Sequence, residues 1–405
     1  MKKFGPDFYS ITDLLTDEEL LIQQTANDFV KAEFMPLISE HYENGTFPMQ
    51  LIPKLGELGF MGSSLPEESG GAGVSNVAYG LILHELERGD SGLRSFASVQ
   101  GSLVMYPIHA YGSDDQKAKW LPGLGAGNLI GCFGLTEPNF GSNPGGMTTR
   151  CKRDGDNWII NGNKMWITNG SIDEDGTPAD LVWLYAKTGE DSNGRPEIST
   201  FLIEKGMTGY SVGQKIYDKS GMRASNTAEL VFENCIVPPS NLVGSVGGST
   251  LHMMRNLEIE RIALAAMSLG IARRSLVEMN RYASERHSFG KPIREYGQIQ
   301  RHIAESYAEY KAMQSYVYNT ARLINLESGG YRLDTDGVKL FSSTVAKNIA
   351  DRAIQVMGGY GYVGEYVVER LWRDSKLLEI GGGTIEMHQK NMTRELYKNP
   401  DSILK

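Results

Sequence analysis

The hydrophobic pattern of the chain changes its period twice, and this order restricts the fold more than any other feature. Up to about residue 128 the apolar residues follow a helical spacing, and the first helix begins at Thr16, where Glu19 completes a capping box. From about 129 to 240, short runs with a period of two predict β-strands. Beyond 240 the spacing is helical again, over segments long enough for a helix bundle. The sequence therefore predicts an α+β multidomain protein with domains at 1–128, 129–240 and 241–405.

Individual elements can be placed within these domains. The N-terminal domain has further helical patterns at 49–58 and 76–87. In the middle domain, residues 158–168 have apolar positions on both sides of Asn161, Gly162 and Asn163, which predicts two strands joined by a turn. In the C-terminal domain we expect four helices, covering residues 250–286, 298–326, 338–357 and 384–396.

Charge and the length of the apolar runs disfavour two kinds of partner. The net charge of −9 argues against nucleic acid, because phosphate contacts need a clustered basic surface. The longest apolar run, residues 262–272, is too short to cross a bilayer, so no membrane insertion is expected. The N-terminal residues contain no apolar stretch of a secretory signal, and a cytoplasmic location is expected.

Cysteine and histidine spacing gives no indication of a metal centre. The three cysteines, Cys132, Cys151 and Cys235, are far apart and lack a C-x-x-C spacing, as is typical of reduced thiols. The seven histidines show no H-E-x-x-H or related pattern. We therefore expect no metal site.

Two glycine clusters invite comparison with nucleotide-binding loops. The run GLGAG at 123–127 does not follow a buried strand, so a nicotinamide-binding Rossmann fold is disfavoured and a plain connecting loop is expected. The run GGGT at 381–384 falls between two helical segments. Amides at a helix N-terminus suit an anion or a polarised oxygen, but the pattern alone does not decide between a site and a turn.

Two charged residues each have two interpretations. Glu260 lies in an apolar helical stripe, where burial would raise the pKa of its carboxyl toward that of a general base at neutral pH. The alternative, which the pattern by itself favours, is a buried ion pair with an arginine of another helix. Arg94 could bind a carboxylate with its planar guanidinium, or it could pair with Asp90 one helical turn earlier. Residue patterns leave both questions open.

Five segments, in the same order, resemble those of the acyl-CoA dehydrogenase family, and the resemblance extends from about residue 15 to 398. They read LPEE at 65–68, FGLTEPNFGS at 133–142, MWITNG at 165–170, RHSFGKP at 286–292 and QVMGGYGY at 355–362. The resemblance implies FAD as cofactor, an acyl-CoA thioester substrate, an electron-transfer flavoprotein partner and a homotetramer. It also implies that the middle domain is a β-barrel and the C-terminal domain a four-helix bundle.

The resemblance assigns cofactor roles residue by residue. It implies that Leu135 and Thr136 contact the isoalloxazine ring and that Trp166 and Thr168 line its edge. Ser142 would lie between the flavin and the pantetheine. The adenosine diphosphate end would be held across a subunit boundary by Arg286, Phe289, Gln355, Gly358 and Gly359. Thr384 and Glu386 belong to the segment that closes over FAD. The chain departs from the family at Gly297, where a glutamine is usual, and Gln298 or Gln300 is the expected substitute.

A second departure concerns the base that removes the α-proton. Most relatives carry it as the glutamate of an E-G-T motif in the final loop, and this chain has Gly382, Gly383 and Thr384 there. Isovaleryl-CoA dehydrogenases place the base on an earlier helix, and Glu260 matches that position. In this reading Arg261 and Glu258 contact the CoA chain, the Gly382 amide polarises the thioester, and Gly381 leaves room for the acyl group.

Residues 85–100 bear on the identity of the acyl group, because they resemble the matching segment of glutaryl-CoA dehydrogenases. There, the arginine and serine that match Arg94 and Ser95 hold the distal carboxylate. Together with the base at Glu260, this implies a branched dicarboxylic thioester, as for the (R)-2-benzylsuccinyl-CoA dehydrogenases of anaerobic toluene degradation. Alternatives are glutaryl-CoA, isovaleryl-CoA or another branched short-chain thioester. An oxygen-using oxidase of the same fold and a catalytically silent acyl-CoA-binding flavoprotein also remain open.

Overall fold

The N-terminal part of the chain is helical. The computed structural model describes residues 10–324 and 331–403. The predicted capping box is present, with the Thr16 side chain accepting from Glu19 N and the Glu19 carboxylate accepting from Thr16 N. The helices are α1 (Asp17–Phe29), α2 (Met35–Asn44), α3 (Ile52–Glu57), α4 (Asn76–Gly89), α5 (Ser91–Ser98), α6 (Tyr106–Tyr111) and α7 (Asp114–Gly125). The GLGAG run is thus mostly the last turn of α7 and not a separate loop.

Helix α5 continues into α6 through a π-helical segment, Val99–Met105, which the sequence did not predict. All seven residues of this segment are buried, although Gln100 and Ser102 are polar. The period-3.6 pattern fails here because the segment is surrounded by protein on every side, so no polar face marks it as a helix. Such widened turns are frequent at functional sites.

The middle part of the chain forms an eight-stranded sheet. Its path is β6-β7-β3-β2-β4-β5-β8, and β1 pairs in parallel with β4. The strands are β1 (Gly131–Gly134), β2 (Arg150–Asp154), β3 (Asn157–Thr168), β4 (Leu181–Glu190), β5 (Pro196–Glu204), β6 (Tyr210–Lys215), β7 (Thr227–Val237) and β8 (Leu242–Val243).

The predicted turn inside 158–168 is wrong, because β3 runs unbroken through it. The register with β7 instead shifts between Ile160 and Gly162, which marks a β-bulge. A Cβ on Gly162 would lie 2.5 Å from Thr149 Oγ1, so the glycine serves close strand packing.

The C-terminal part consists of five helices and a short hairpin within the described residues. The helices are α8 (Ser249–Glu285), α9 (Gly297–Leu323), α10 (Arg332–Met357), α11 (Val368–Ile380) and α12 (Ile385–Lys398); the hairpin pairs β9 (His287–Ser288) with β10 (Lys291–Pro292). Helix α11 was not predicted, and α10 begins six residues before the predicted start at Val338. The predicted end of the second helix at 326 lies outside the described residues.

Helix α8 is the centre of the molecule and packs against both α4 and α10. A Cβ on Gly270 would lie 2.4 Å from His84 O of α4, so the two helices approach as closely as backbones can. Nearer its N-terminus, α8 contacts the π-helical segment through the hydrogen bond between Glu260 and Ser102. In the described ranges, no helix is long and apolar enough to span a membrane, and no three potential ligands cluster as a metal site.

Candidate active site

A cavity of about 550 Å³ lies where the sheet, helix α8 and the 381–384 loop meet. The π-helical segment forms its inner wall through Val99 and Leu103. The residues predicted for flavin, thioester and base converge here from distant parts of the sequence. Those that line it are Leu135, Thr136, Ser142, Trp166, Thr168, Glu258, Glu260, Arg261 and Gly382.

Glu260 is buried in the wall of this cavity, with 7% of its surface exposed. Its Oε2 accepts a hydrogen bond of 2.7 Å from the Ser102 hydroxyl of the π-helical segment. Burial raises the pKa of the Glu260 carboxyl to about 7, while the Ser102 hydrogen bond and the positive charge of Arg94 oppose that rise. No arginine forms an ion pair with Glu260 among the described residues, so the buried-pair interpretation does not apply.

The alternative offered for Arg94, a pair with Asp90, is also wrong. Arg94 Nε donates to the carboxylate of Glu87, which also accepts from Ser91. Asp90 instead caps α5 at Gly92 N, at 2.7 Å, and lies 3.5 Å from Arg370 Nε. One Arg94 nitrogen, Nη2, is buried with no hydrogen-bond partner in the described part of the chain. Glu87 therefore fixes the Arg94 guanidinium through Nε, while the N–H groups of Nη2 have no acceptor in the described part of the chain.

Arg94 and Ser95 lie behind the cavity wall. Neither residue lines the cavity directly. Ser95 Oγ is 3.4 Å from Thr168 Oγ1, which does line it, and Arg94 is close enough to lower the pKa of Glu260. Arg94 thus lies near Glu260, and Ser95 near Thr168.

The 381–384 loop covers Glu260. Gly382 has φ of +64°, and a Cβ there would lie 2.2 Å from Leu264 Cδ1 and 3.9 Å from Glu260 Cγ. This position therefore requires glycine for both conformation and space. Gly381 does not line the cavity, and it ends α11 with an ordinary φ of −70°.

A fully buried ion pair lies beside the segment after β1 that contains Leu135 and Thr136. Lys164 Nζ lies 3.0 Å from Glu137 Oε1 and 3.1 Å from Leu135 O. Glu137 also accepts from the backbone and hydroxyl of Thr148, and from Thr149 N. Burial alone would raise the pKa of Glu137, but the positive charge of Lys164 and these donors hold it at about 2. The sequence did not reveal this pair, because its two residues are 27 positions apart.

We expect Lys164→Met to destabilise the protein by about 3–5 kcal/mol, the usual effect of leaving a buried charge without its partner. The double variant Lys164→Met/Glu137→Gln should recover much of that loss, because both charges are removed. Urea denaturation of the three proteins measures the difference. Equal losses in the single and double variants would show that the charge pair is not the cause.

Trp166 is held in an unusual backbone conformation at the cavity mouth. Its φ is +64°, within the irregular register between Lys164 and Ile167, and 61% of its surface is exposed. A bulky residue in the left-handed region is strained. The strain and the exposure of a large ring at a cavity both indicate a functional position.

Arg261 is anchored by a buried network that the sequence did not predict. Its Nη1 lies 3.0 Å from Asp336 Oδ1, which also lies 2.7 Å from His388 Nδ1. The other ring nitrogen of His388 is 2.9 Å from Gly383 O, which also accepts from Lys339 Nζ at 2.7 Å. Asp336 thus connects the arginine of α8 to the loop above Glu260. Arg332 and Arg394 also line the cavity and add positive charge.

Glu258, also predicted to contact CoA, faces the same cavity. Its carboxylate is 2.8 Å from Arg255 Nη1, one turn earlier on α8. Because the Glu258 charge is already compensated, this residue can accept hydrogen bonds at the cavity edge without repelling an anionic ligand strongly.

The residues predicted for the adenosine diphosphate end lie in a second cavity of about 700 Å³. Arg286, Phe289, Gly358 and Gly359 line it, and so does Gln298, whereas Gln355 and Gln300 do not. Phe289 has φ of +48° and 96% exposure. Thr384 caps α12 through Met387 N, at 3.4 Å, and Glu386 is exposed; neither lines the two cavities.

Comparison with known proteins identifies the class of this three-part fold. Three family models match, which describe the N-terminal, middle and C-terminal domains of acyl-CoA dehydrogenases. They cover residues 16–128, 132–235 and 248–397. The chain therefore belongs to the acyl-CoA dehydrogenase family, which confirms the resemblance and the α+β fold class with helical ends and a central sheet.

Individual relatives agree with this assignment. A probable acyl-CoA dehydrogenase of Bacillus subtilis is 38% identical over 95% of this chain and 99% of its own. The mitochondrial isovaleryl-CoA dehydrogenase of Arabidopsis thaliana is 36% identical over 95% of this chain and 92% of its own length. The structure of a glutaryl-CoA dehydrogenase of Mycobacterium smegmatis, solved with FADH2, has a TM-score of 0.89 at 36% identity. The match covers 96% of this chain and 97% of the other. Members of the family are flavin-dependent oxidoreductases that act on CH–CH bonds.

The residues of the two cavities fit FAD. The first combines apolar Leu135, Ile167 and Trp166 with the hydroxyls of Thr136 and Thr168, a donor set suited to a flat ring with one polar edge. The second combines the positive charge of Arg286 with two glycines. Gly358 has φ of +59° and no atom within 4 Å of a Cβ position, so the backbone is open to a diphosphate there.

Proposed function

We propose that this protein dehydrogenates a branched dicarboxylic acyl-CoA thioester at its α,β-carbons, with Glu260 as the base. The observation that carries this proposal is the burial of Glu260 opposite Gly382. Burial raises the pKa of the carboxyl to about 7, so the group can accept a proton near neutral pH. The space that the usual base of relatives would need is taken up by Leu264.

The other residues of the cavity would bind and polarise the thioester. The Gly382 amide is the donor for the carbonyl oxygen, which acidifies the α-C–H and stabilises the enolate as it forms. Arg261, fixed by Asp336, would hold the CoA chain with Glu258, and Ser142 would lie between the chain and the ring. FAD, when bound, supplies the acceptor for the hydride that leaves Cβ.

We further propose that Arg94 recognises the distal carboxylate. Its Nη2 is buried and unpartnered in the described part of the chain, while Glu87 fixes Nε. Ser95, beside Thr168, adds a hydroxyl on the same side. A distal carboxylate at Arg94, together with a base at Glu260 instead of in the loop, favours the branched dicarboxylic (R)-2-benzylsuccinyl-CoA over glutaryl-CoA or isovaleryl-CoA.

The two separate cavities support a site built from two chains of a homotetramer. One FAD must contact both residue sets, and Gly358 and Thr136 lie in cavities with no common lining residue among those described. In this proposal Gln298 binds FAD in place of the glutamine that relatives carry at the position of Gly297, since Gln298 lines the second cavity and Gln300 does not. Electrons would pass to an electron-transfer flavoprotein in the cytoplasm.

An anaerobic titration of the FAD-loaded protein tests the substrate. Benzylsuccinyl-CoA, glutaryl-CoA, isovaleryl-CoA and butyryl-CoA are added separately, and loss of flavin absorbance is followed. We expect benzylsuccinyl-CoA to reduce the flavin fastest. A preference for isovaleryl-CoA would contradict the dicarboxylic proposal, and no reduction by any thioester would indicate a silent acyl-CoA binder.

The rate of flavin reduction at low substrate concentration should depend on pH through Glu260. Only the carboxylate accepts a proton, so the rate should rise with pH and level off above about 7, the pKa to which burial raises this group. Arg94 lowers the pKa of Glu260, so the profile of Arg94→Lys should stay near that of the parent. The profile of Arg94→Met should move to higher pH. If the pH profiles of both variants matched that of the parent, the pH dependence would not arise from titration of Glu260.

A further inference from the structure

Glu260 lies between two cavities that face opposite sides of α8. The larger one is lined by Glu260 itself. A second, of about 30 Å³, is lined by Ser102 of the π-helical segment and Tyr79 of α4. Among the described residues the two cavities share no lining residue, so the hydrogen bond between Ser102 and Glu260 is what connects them.

The Ser102 hydroxyl has two acceptors at equal distance. Its Oγ is 2.7 Å from Glu260 Oε2 and 2.7 Å from Ser98 O. A hydroxyl has one proton, so it donates to one of these at a time. When Glu260 is ionised, Ser102 donates to it; when Glu260 is protonated, Glu260 donates to Ser102 Oγ and the Ser102 proton turns away. Ser102 therefore fits both protonation states of the carboxyl.

Tyr79 extends this arrangement. Its hydroxyl is buried and makes no hydrogen bond of normal geometry in the described part of the chain. Burial raises the pKa of the Tyr79 phenol, the Glu260 carboxylate raises it further, and the Ser102 hydroxyl and Arg94 lower it. The phenol therefore lies near both Ser102 and Glu260, and its hydroxyl proton has no acceptor of normal geometry in the described part of the chain.

The smaller cavity can hold water. A volume of about 30 Å³ accommodates roughly two water molecules, since one needs about 10–15 Å³. Hydroxyls of Ser102 and Tyr79 supply polar partners, and Ser64 and Asn76 of the same cavity are partly exposed. The cavity thus lies between Ser102, the hydrogen-bond partner of Glu260, and the partly exposed Ser64 and Asn76, on the side of α8 away from the substrate cavity.

We propose that Ser102, Tyr79 and water in the smaller cavity carry the proton from Glu260 to solvent while the thioester is still bound. This proposal rests on the function proposed above. The α-C–H bond breaks, its electron pair stays on the enolate, and the proton binds Glu260. Glu260 then gives this proton to Ser102 Oγ as the original Ser102 proton passes to water in the smaller cavity, either directly or by way of Tyr79, whose own phenolic proton passes on to that water.

Hydrogen exchange in D2O tests the relay without turnover. The probe is 3-thiabutyryl-CoA, whose α-C–H is acidified and whose β-position is sulfur, so no hydride can leave. Mass spectrometry measures deuterium entering the α-carbon, and displacement by excess butyryl-CoA measures dissociation of the probe. We expect exchange in the parent to be faster than dissociation, because the relay works with the ligand bound.

Tyr79→Phe is the decisive variant, since Tyr79 makes no hydrogen bond to Glu260. The exchange rate should fall at least about tenfold, to the dissociation rate of the probe. This loss is smaller than the roughly 10²–10⁴-fold contribution of a positioned acid or base, because Tyr79 only passes the proton on. Flavin reduction by the oxidisable substrate should stay within about twofold of the parent. Ser102→Ala should also slow exchange, and Ser102→Thr should restore it. Ser268→Ala is the matched control, because it removes a buried hydroxyl that donates to Leu264 O, at 2.8 Å, in its own helix.

Failure of the relay and failure of the proposed function give different results. Parent exchange no faster than dissociation, or parent-like exchange in Tyr79→Phe, would overturn the relay and leave Glu260 as the base. Parent-like exchange and flavin reduction in Glu260→Gln would overturn the proposed function. If Ser102 only orients Glu260, Ser102→Ala slows exchange and flavin reduction equally, and that outcome also overturns the relay.

Discussion

Glu260→Gln should retain FAD and bind acyl-CoA, but reduce its flavin about 10² to 10⁴ times more slowly than the parent, the usual contribution of a positioned base. The amide cannot accept the α-proton, and no second carboxylate occupies the loop, where Gly382 stands instead. Gln also keeps the volume of Glu and an oxygen that can accept from Ser102. Stopped-flow absorbance with saturating thioester measures the rate.

Glu278→Gln is the matched control for this variant. It makes the same chemical change on the same helix, but Glu278 is half-buried and pairs with Arg281 at 2.7 Å, outside the cavity. Its rate should remain close to that of the parent. A Glu260→Gln protein that bleaches as fast as the Glu278→Gln protein would show that the base lies elsewhere.

Arg94→Met should weaken the use of dicarboxylic thioesters by about 10² to 10⁴-fold in kcat/KM, which corresponds to the roughly 3–5 kcal/mol lost when a buried charge loses its partner. Monocarboxylic thioesters should change little when rates are compared on the plateau above the pKa of Glu260. That plateau must be used, because Arg94 also lowers the pKa of Glu260 and its loss affects every substrate at lower pH.

The variant also leaves Glu87 without its cation, which could impair folding. The double variant Glu87→Gln/Arg94→Met removes both charges and should fold. It should still use dicarboxylic thioesters less well than the parent does, while its use of monocarboxylic thioesters changes little. Arg94→Lys keeps the charge without the planar fork and should lose less. Equal losses for dicarboxylic and monocarboxylic thioesters in the double variant would refute recognition by Arg94.

Much of the fold and of the first cavity could be predicted from the sequence, because the information there is local. The three-part order follows from the change of hydrophobic period, and the flavin-side residues fall in contiguous motifs around Thr136 and Trp166. The position of Glu260 could be predicted as well, since its apolar neighbours one turn away already imply burial. The structure places these residues around one cavity.

Contacts between distant residues could not be predicted. Ser102 is 158 residues from Glu260, and Asp336 is 52 residues from His388. Neither pair leaves a pattern in the sequence, because a buried serine or histidine has the same local surroundings whether or not it serves a site. The partner of Arg94 illustrates a different limit: Glu87 is only seven residues away, but Asp90 is nearer in the sequence and is turned away to cap α5.

The contact of Gly382 with Leu264 and Glu260 restricts how this site can change by mutation. A side chain at 382 would collide with Leu264 and reach the Glu260 side chain, so two carboxylates there would crowd and repel. Removing Glu260 first leaves a chain without a base. Any mutational path that moves the base to the loop must therefore rotate or shorten Leu264 when it replaces the glycine, and laboratory selection for such chains should yield substitutions at Leu264 or beside it.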